Sequence, residues 1–516
     1  SLCYQLPALL GDGLTLVVSP LIALMDDQVA ALRARNLPAT CVHSLLERDD
    51  RERRLAAAIR GDCKLLYVTP ERFRVPGVLD ALRTANVTRL VVDEAHCVSH
   101  WGHDFRPDYQ RLGEARAALG MPPCLALTAT ATPDVQDDIR AALRLGDAPR
   151  FFTGIARDNL YLSVHGATDD DDKLERLRRT LDRAGGPAIV YCALIKDLTR
   201  LEGELKRLGY APLVYHGALS AHERKTQQQR FVAGDDVLML ATNAFGMGVD
   251  KADIRAIVHW QIPRTLEAYY QEIGRAGRDG RGAFCELLYR EEDLVIQRDF
   301  TEWANPTAEF ARDVCDHLEG LGDRLHTLDL DTLRETFLTK NRHDGRIETI
   351  LRLLRSAGCV DGEIGRGLTM LRNPDDDELA DWLPEDKRKQ DLLGLLRMVR
   401  YATGDLCRKR TVHEHFGIDG PDDGCGSCDV CVADAAWLAD HLPSPQPLAR
   451  HDAGADDADP APLARGDWID AGGFGLCCVV RVHRRGKGWQ AEVEVAKSLQ
   501  VKRIDLGRTR WHKVER

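Results

Sequence analysis

Short apolar runs separated by polar segments occur in two successive series along this chain, and they constrain its fold more than any other feature. In the first series the runs are 15–19, 64–68, 89–93 and 124–128. After an acidic stretch near Asp169, a second series follows at 188–192, 237–241, 256–259 and 284–288. Short continuous apolar strands separated by helices are typical of parallel sheets covered on both faces. The sequence therefore predicts two α/β lobes with a cleft between them.

The length and composition limit the class of protein further. The 516 residues exceed one hydrophobic core, and a hydrophobic fraction of 44% is typical of packed domains. No apolar run approaches the roughly 18 residues that cross a membrane, so we expect no membrane association. The formal net charge of −11 argues mildly against nucleic-acid binding, although a local basic face can occur on an acidic protein.

The remainder of the chain predicts smaller parts. Apolar residues at 347, 350, 351 and 354 recur at helical spacing, and glycines at 362, 365 and 367 predict a hairpin after that helix. Helices followed by a hairpin resemble a winged helix, and a plain helical spacer is an equal alternative. Residues 443–462 are rich in Pro, Ala and Asp and predict a flexible linker. The short β runs after the linker predict a small β-barrel of SH3 or Tudor type.

Two adjacent carboxylates end the third apolar run of the first lobe. Asp93 and Glu94 are followed by Ala95 and His96. Ligands of parallel α/β sheets bind at the carboxyl ends of the strands. At that edge Asp93 would hold Mg²⁺, and Glu94 would orient and polarise an attacking water. The alternative is an acidic pair that only caps the next turn.

The segment directly downstream, 97–109, collects aromatic, histidine and arginine side chains in one loop. Its candidate DNA-binding residues are Trp101, His103, Phe105, Arg106 and Tyr109. Aromatic faces stack on unpaired bases and arginine adds phosphate contacts; a buried aromatic cluster is the alternative. This loop closely resembles the aromatic-rich loop of RecQ-family DNA helicases, which usually carry Gln where this chain has His100.

Other segments of the first lobe match the same family in order. Segments 19–28 and 69–72 resemble motifs Ia and Ib, and 127–132 resembles motif III. The resemblance implies contacts with a single strand at Ser19, Pro20, Thr69 and Pro70. It also implies that His96, Thr128 and Thr130 couple hydrolysis to strand movement.

The second lobe carries segments that resemble motifs IV, V and VI. They lie at 214–218, 241–250 and 269–280, and Ala193-Leu194 replaces a Ser-Arg pair usual in relatives. The resemblance implies DNA contacts at His216 and Thr242, nucleotide contacts at Gly248 and Asp250, and catalytic roles for Gln271, Arg275 and Arg278. Because the two arginines are three residues apart, we expect one helical turn to project them the same way. Arg278 would be the arginine finger and Arg275 its partner.

The first residues resemble the segment that comes after Gly-Lys in a P-loop. A P-loop needs G-x-x-x-x-G-K-[ST], in which the last hydroxyl binds Mg²⁺ and the lysine reaches the phosphates. Ser1 would supply that hydroxyl, and the lysine and glycine loop are not in this sequence. We therefore expect either a fragment cut within the Walker A motif or a product that does not hydrolyse ATP at a useful rate.

Four of the 15 cysteines form one cluster with metal-ligand spacing. Cys407, Cys425, Cys428 and Cys431 read C-x17-C-x2-C-x2-C. Four thiolates satisfy tetrahedral Zn²⁺ and leave no open position, so the site would be structural. Residues 425–431 also resemble the zinc module of RecQ helicases. Four free thiols, or His413 or His415 in place of Cys407, are the alternatives.

These features predict six domains. They are lobe 1 (1–165), lobe 2 (166–295), a helical or winged-helix-like insertion (296–384), a zinc module (385–435), a linker (436–464) and the β-barrel (465–516). The resemblance places the zinc module directly after lobe 2, so the insertion is a departure from the family.

The resemblance implies a 3′-to-5′ ATP-dependent DNA helicase that acts on single strands and duplex junctions in repair and recombination. Its cofactors would be ATP, Mg²⁺ and Zn²⁺, its location the bacterial cytoplasm with the nucleoid, and a protein partner could bind the C-terminal barrel. An RNA helicase or translocase and a non-catalytic DNA-binding protein are the alternatives.

Overall fold

The computed structural model describes residues 1–99, 106–152, 154–246, 249–338, 344–442, 463, 467–485, 488–496, 501–507 and 509–514. The chain divides into two compact units, Ser1–Ala449 and Arg450–Arg516. No described helix is both long enough and apolar enough to cross a bilayer.

The first lobe is a parallel five-stranded sheet covered by helices. Its strands are β1 (Leu14–Val18), β2 (Ala39–Val42), β3 (Leu65–Val68), β4 (Val87–Val92) and β5 (Cys124–Ala126). Its helices are α1 (Leu2–Leu10), α2 (Ile22–Arg33), α3 (Arg48–Ile59), α4 (Val78–Thr84), α5 (Pro107–Gln110), α6 (Leu112–Ala118) and α7 (Pro133–Ala142). The strand order is β2-β3-β1-β4-β5, and all residues of β1 are buried because helices cover both faces. The predicted first α/β lobe is confirmed.

The second lobe is a parallel six-stranded sheet. Its strands are β6 (Leu160–Gly166), β7 (Ala188–Tyr191), β8 (Leu213–Tyr215), β9 (Leu238–Ala241), β10 (Ala256–His259) and β11 (Ala283–Tyr289). Its helices are α8 (Asp170–Ala184), α9 (Ile195–Arg207), α10 (Ala221–Ala233) and α11 (Leu266–Ile273). The strand order is β6-β11-β10-β7-β9-β8. Because β6 pairs with β11 along its whole length, this lobe begins before residue 166, and the predicted boundary is corrected accordingly.

The region between lobe 2 and the cysteine cluster has a core of its own. Its elements are α12 (Leu294–Ala304), α13 (Ala308–Leu321), α14 (Leu330–Phe337), α15 (Arg346–Ser356), β12 (Val360–Glu363), β13 (Arg366–Met370) and α16 (Asp376–Trp382). Leu318, Leu333, Ile347, Leu354 and Leu368 are buried together in one cluster. The predicted helix and hairpin are confirmed, and the separate core shows that this region is more than a spacer. Residues 306–383, between α12 and the next long helix, are called the inserted domain.

The zinc module follows, with helices α17 (Glu385–Thr403), α18 (Arg408–His415) and α19 (Asp434–His441). The predicted linker began at residue 436, but α19 packs onto lobe 2: Trp437 is 3% exposed, and its ring lies 5.3 Å from that of Tyr161. The linker prediction is therefore wrong for 436–441, because a buried tryptophan anchors this helix. Residues 443–462 lie outside the described residues.

The C-terminal unit is an antiparallel five-stranded sheet. Its strands are β14 (Trp468–Asp470), β15 (Leu476–Arg485), β16 (Gly488–Val495), β17 (Val501–Asp505) and β18 (His512–Val514), in the order β17-β16-β15-β14-β18. Ile469, Cys477, Val479, Ala491 and Val493 form its buried face. The predicted β region is confirmed as an antiparallel sheet, while its closure into an SH3- or Tudor-type barrel and the protein partner expected for it stay predictions.

Candidate functional site

The carboxylate pair lies where the sequence predicted it, at the carboxyl end of the interior strand β4. The Asp93 amide donates to the Val18 carbonyl of β1 at 2.9 Å. Burial raises the pKa of the Asp93 carboxyl, while the Glu94 amide and the amino group of Ser1 oppose that rise. The Mg²⁺-binding role predicted for the Ser1 hydroxyl stays a prediction.

Glu94 adopts a left-handed backbone conformation, with φ of 49°. This conformation is uncommon for residues other than glycine and is often found at functional sites. It turns the chain sharply from β4 into a short 3₁₀ helix, Ala95–Val98. The Glu94 carboxylate lies 3.3 Å from Nδ1 of His96.

A relay of hydrogen bonds leads away from this glutamate. His96 Nδ1 lies 3.0 Å from the Thr128 hydroxyl, and that hydroxyl accepts from the Thr130 amide at 3.2 Å. His96 and Thr130 are buried. The structure thus brings together the three residues that the sequence assigned to coupling, and the coupling role itself stays a prediction.

Tyr109 does not fit its predicted role as a DNA-stacking residue. Its side chain is fully buried, and its hydroxyl donates to the Asp93 carbonyl at 3.0 Å. The tyrosine therefore supports the catalytic strand end from beneath and presents no ring face to a base. Residue type and proximity to aromatic neighbours suggested stacking, but only the fold shows that the ring points inward.

The other residues of the aromatic loop are only partly described. Arg106 donates to the Pro20 carbonyl at 3.0 Å, which ties this loop to the motif Ia segment. Trp101, His103 and Phe105 lie outside the described residues.

The remaining candidate DNA-binding residues differ in exposure. Those with buried side chains are Ser19, Pro20, Thr69, Pro70 and Thr242, and His216 is half-buried. Because the side chains of the five buried residues are inaccessible, mainly their backbone groups are left to contact a DNA strand. Their DNA-binding roles stay predictions.

The two arginines of lobe 2 are not on a helix, so the predicted geometry is wrong. Helix α11 ends at Ile273, and Arg275 and Arg278 lie in the turns that come after it. Gly277 has a φ of 55°, and a Cβ there would lie 2.6 Å from Asn159 Nδ2. A residue with a positive φ cannot continue a right-handed α-helix, so the side chains of Arg275 and Arg278 do not point the same way.

Arg275 points into lobe 2, whereas Arg278 is more accessible. Arg275 is 5% exposed and donates to the Gly246 carbonyl. Arg278 donates to Asp250 at 3.0 Å, and the Asp250 side chain is 91% exposed. Arg275 thus fits a positioning role within the motif V loop, and Arg278 fits the finger. Gln271 lies half-buried on α11, and Gly248 is outside the described residues.

Helix α10 of lobe 2 brings a charge within reach of helix α2 of lobe 1. The Lys225 ammonium on α10 partly offsets the rise in the pKa of Asp27 on α2, which burial and Asp26 produce. The hydrogen bonds described for Asp93, Arg275 and Arg278 stay within their own lobes. The reactive groups of the two lobes are therefore held separately, on neighbouring bodies.

The four predicted zinc ligands converge. The Sγ atoms of Cys407, Cys425, Cys428 and Cys431 all lie within 4.8 Å of one another. Hydrogen bonding from Cys425 lowers the pKa of the Cys428 thiol to about 5 despite its burial, which favours the thiolate that a metal needs. These sulfur donors fit structural Zn²⁺ and leave no open position.

The two histidines considered as alternative ligands are engaged elsewhere. His415 Nε2 lies 2.7 Å from the Glu267 carboxylate of α11, and His413 Nδ1 lies 3.3 Å from the Asp419 carbonyl.

The cysteine loop also joins the sheet of lobe 2, which the sequence did not reveal. The Leu162 amide of β6 donates to Ser427 at 3.1 Å, and the Asp429 amide donates back to Leu162 at 3.0 Å. The Asp429 carboxylate accepts from the Val164 amide and from the Arg408 guanidinium, at 2.9 and 2.8 Å. The zinc loop therefore extends the lobe 2 sheet at its β6 edge. The only hint in the sequence is that Arg408 and Asp429 each adjoin a cysteine ligand.

Two parallel-sheet lobes, one with a carboxylate pair at a strand end and the other with an arginine in a glycine-rich turn, define a two-lobed nucleotide-driven motor. Family profiles agree. "DEAD/DEAH box helicase" matches residues 1–139, "Helicase conserved C-terminal domain" matches 172–280, and "RecQ zinc-binding" matches 371–432.

Curated proteins give the family. "ATP-dependent DNA helicase RecQ" of Synechocystis sp. is 34% identical over 84% of this chain and 89% of its own length. "Probable ATP-dependent DNA helicase RecS" of Bacillus subtilis is 43% identical over 63% of this chain and 65% of its own length. "ATP-dependent DNA helicase RecQ" of the same organism is 41% identical, and the aligned region covers 64% of this chain but only 55% of that relative. The chain belongs to the RecQ family of helicases.

Proposed function

We propose that this protein is an ATP-driven DNA helicase. The observation that carries the proposal is the Asp93–Glu94 pair at the end of β4, joined through His96 to Thr128. A merely structural acidic pair has no need for a glutamate in a left-handed conformation that contacts a buried histidine. The names of the relatives support DNA as the substrate.

The residues at this edge fit Mg²⁺ and ATP. A carboxylate and a hydroxyl are the oxygen donors that Mg²⁺ takes in nucleotide sites, and Asp93 and Ser1 would offer them. Bound ATP with its Mg²⁺ supplies the phosphoryl group whose transfer to water releases free energy. Asp93 would hold the cation, and burial would strengthen that interaction.

The remaining catalytic groups would act on the water and on developing charge. Glu94 would orient the water and take up its proton. Arg278 would leave its exposed partner Asp250 and stabilise negative charge from the opposite side of the cleft. Arg275 would hold the Gly246 segment in place.

Strand binding would reach the ATP site through two paths in lobe 1. Arg106 connects the aromatic loop to Pro20 of motif Ia, and the Thr128–His96 contact connects motif III to Glu94. A strand that shifts either segment would change the position of Glu94. This would make hydrolysis depend on DNA.

The finer parts of the proposal rest on family resemblance. They are 3′-to-5′ polarity, preference for single strands and duplex junctions, a role in repair and recombination, and association with the nucleoid in the bacterial cytoplasm.

DNA-stimulated ATP hydrolysis tests the proposal. It is measured on this chain and on the chain joined to whatever its gene encodes upstream of Ser1, with the Glu94→Gln variant as a control. We expect stimulation by single-stranded DNA that Glu94→Gln removes. Unwinding of 3′-tailed DNA should exceed that of 5′-tailed DNA and of RNA duplexes. If the extended protein hydrolyses no ATP with DNA present, the proposal fails.

A further inference from the structure

We infer that the junction between lobe 2 and the inserted domain contains a nucleobase-stacking site for single-stranded DNA, formed by Phe300, Trp303 and Arg352. The inference rests on the proposed function and adds a contact outside the two motor lobes. It is carried by a cavity, an aromatic pair and a cation that meet at one place.

The cavity lies at the carboxyl edge of the lobe 2 sheet and has a volume of about 540 Å³. Ala193 and Asn243, which follow β7 and β9, form its lobe 2 wall. Asn243 is exposed and adjoins Thr242, one of the predicted strand contacts. Arg352 and Thr349 of α15 form the opposite wall.

The aromatic pair stands between these walls on α12. Phe300 and Trp303 are half-buried, and their rings meet edge to face with centroids 5.5 Å apart. Hydrogen bonds on both sides hold helix α12, which carries this aromatic pair and is called the aromatic platform. The Gln297 side chain donates to the Ile262 carbonyl of lobe 2 at 2.7 Å, and the Thr349 hydroxyl donates to the Trp303 carbonyl at 3.1 Å. Half-buried rings on a fixed support are the arrangement on which unpaired bases stack.

Arg352 supplies a cation beside the platform. Its guanidinium donates to the Thr349 hydroxyl at 3.1 Å, and among the described residues it forms no ion pair. Arg264, the other arginine that lines the cavity, is paired with Asp391. Arg352 is therefore the group best placed to meet a phosphate or the π face of a base.

A second, larger groove continues the path toward lobe 1. It has a volume of about 1120 Å³ and runs between Arg106 on lobe 1 and the inserted domain. The two cavities share Ala304, Thr349 and Arg352 as lining residues, so they adjoin at the start of α15. A single strand held by both lobes would pass Arg352 and Trp303 on its way. This continuity of two open cavities with an aromatic pair and an arginine favours a nucleic-acid strand over a peptide.

Binding of fluorescent oligothymidylate to the full chain, without nucleotide, tests the stacking contact. We expect Trp303→Ala to weaken binding about 5- to 150-fold, the range for loss of one base stack. Trp303→Phe keeps an aromatic face and should bind nearly as the unaltered chain does. An oligomer of the same length with abasic sugars should bind all three proteins equally, because it has no base to stack.

Salt dependence tests the arginine. Arg352→Ala should reduce the slope of log affinity against log salt by about 0.7, the value for one phosphate contact on a single strand. Arg355→Ala is the matched control, because Arg355 is on the same helix but donates to the Gly362 carbonyl and lines neither cavity. Thermal melting verifies that each variant is folded.

The outcomes separate this inference from the proposed function. If folded Trp303→Ala and Arg352→Ala bind oligothymidylate as the unaltered chain does, the stacking site is refuted while the motor proposal stands. The same holds if Trp303→Ala weakens the abasic and thymidine oligomers equally. If the unaltered chain binds no single-stranded DNA at all, the proposed function fails first.

Discussion

The two lobes share one architecture but hold their reactive groups in opposite ways. In lobe 1, Asp93 and Glu94 leave a central strand, and hydrogen bonds to Val18 and from Tyr109 fix the turn. In lobe 2, Arg278 lies in a glycine-containing turn, and among the described residues its guanidinium contacts the exposed Asp250 carboxylate and the Val249 carbonyl. Exposed ion pairs are worth about 0–1 kcal/mol. The acids are therefore pre-positioned, while the arginine can be released at little cost.

The largest expected effect concerns Arg278, the arginine of lobe 2 that can be released at little cost. Arg278→Ala should slow DNA-stimulated ATP hydrolysis about 10³- to 10⁵-fold, the range for an arginine finger. Arg281→Ala, three residues on and exposed, should retain activity. Equal rates for the two variants would show that Arg278 does not reach the phosphate.

The pre-positioned acids of lobe 1 are tested by Glu94→Gln. This substitution keeps the size of the side chain but removes the carboxylate that would act as the general base. Steady-state hydrolysis should fall about 10²- to 10⁴-fold, as for loss of a general base. Binding of a fluorescent ATP analogue should be unchanged. A large loss of nucleotide binding would instead assign Glu94 to holding the cofactor.

The lobes should also differ in their dependence on the zinc module. Asp429→Ala removes the carboxylate that pairs with the buried Arg408 guanidinium and accepts from the Val164 amide, at a cost of about 3 kcal/mol, although Arg408 keeps the Tyr401 and Gly404 carbonyls. Hydrogen exchange should accelerate in β6 and not in β1. Asp422→Ala, an exposed aspartate before Cys425, is the control and should change neither strand. Equal acceleration in both lobes would contradict a coupling specific to lobe 2.

Acid should weaken lobe 2 through a second contact with this module. Burial alone would raise the pKa of Glu267, but the hydrogen bond and charge of His415 outweigh it and lower that pKa from 4.5 to about 2. A depressed carboxyl pKa stabilises the fold above pH 4.5, and that contribution is lost as the pH falls toward 2. Glu267→Gln should remove this pH dependence, worth about 2 kcal/mol. The free energy of unfolding of the unaltered chain and of Glu267→Gln is measured by denaturant between about pH 5 and pH 2.5. If it falls with pH equally in the two proteins, Glu267 does not cause the acid sensitivity.

The smallest expected effect concerns the support beneath the acids. Tyr109→Phe removes only the hydroxyl that donates to Asp93, so stability should fall by about 1 kcal/mol. DNA affinity should not change, because the ring is buried. Weaker DNA binding with unchanged stability would instead show that the hydroxyl meets DNA and does not support Asp93.

Local patterns predicted much of the fold. The apolar runs identified β1, β3, β4 and β5, because central parallel strands are apolar on both faces. The edge strand β6 was missed, because its residues alternate in character and its partner β11 is over 120 residues away. Cysteine spacing likewise identified the zinc ligands. It could not show that the loop pairs with Leu162, a contact between distant parts of the chain.

At the candidate site, motif positions were predicted better than side-chain directions. The adjacency of Glu94, His96 and Thr128 was implied by the family motifs, and the structure brings them together. The shared direction of Arg275 and Arg278 was wrong, because helix α11 ends at Ile273 and Gly277, between the two arginines, has a positive φ. The DNA-binding role predicted for Tyr109 was also wrong, because the burial of a ring depends on tertiary packing that residue spacing does not encode.

The pairing of the cysteine loop with β6 also bears on self-association. A sheet ends in a strand whose backbone donors and acceptors can pair with another chain, and native proteins cover such edges. Here Ser427 and Asp429 occupy that position against Leu162. The loop thereby closes the lobe 2 sheet to intermolecular strand addition, and Zn²⁺ held by the four cysteines would keep it in place. Without the loop, the backbone groups of β6 would be open to pairing with another chain.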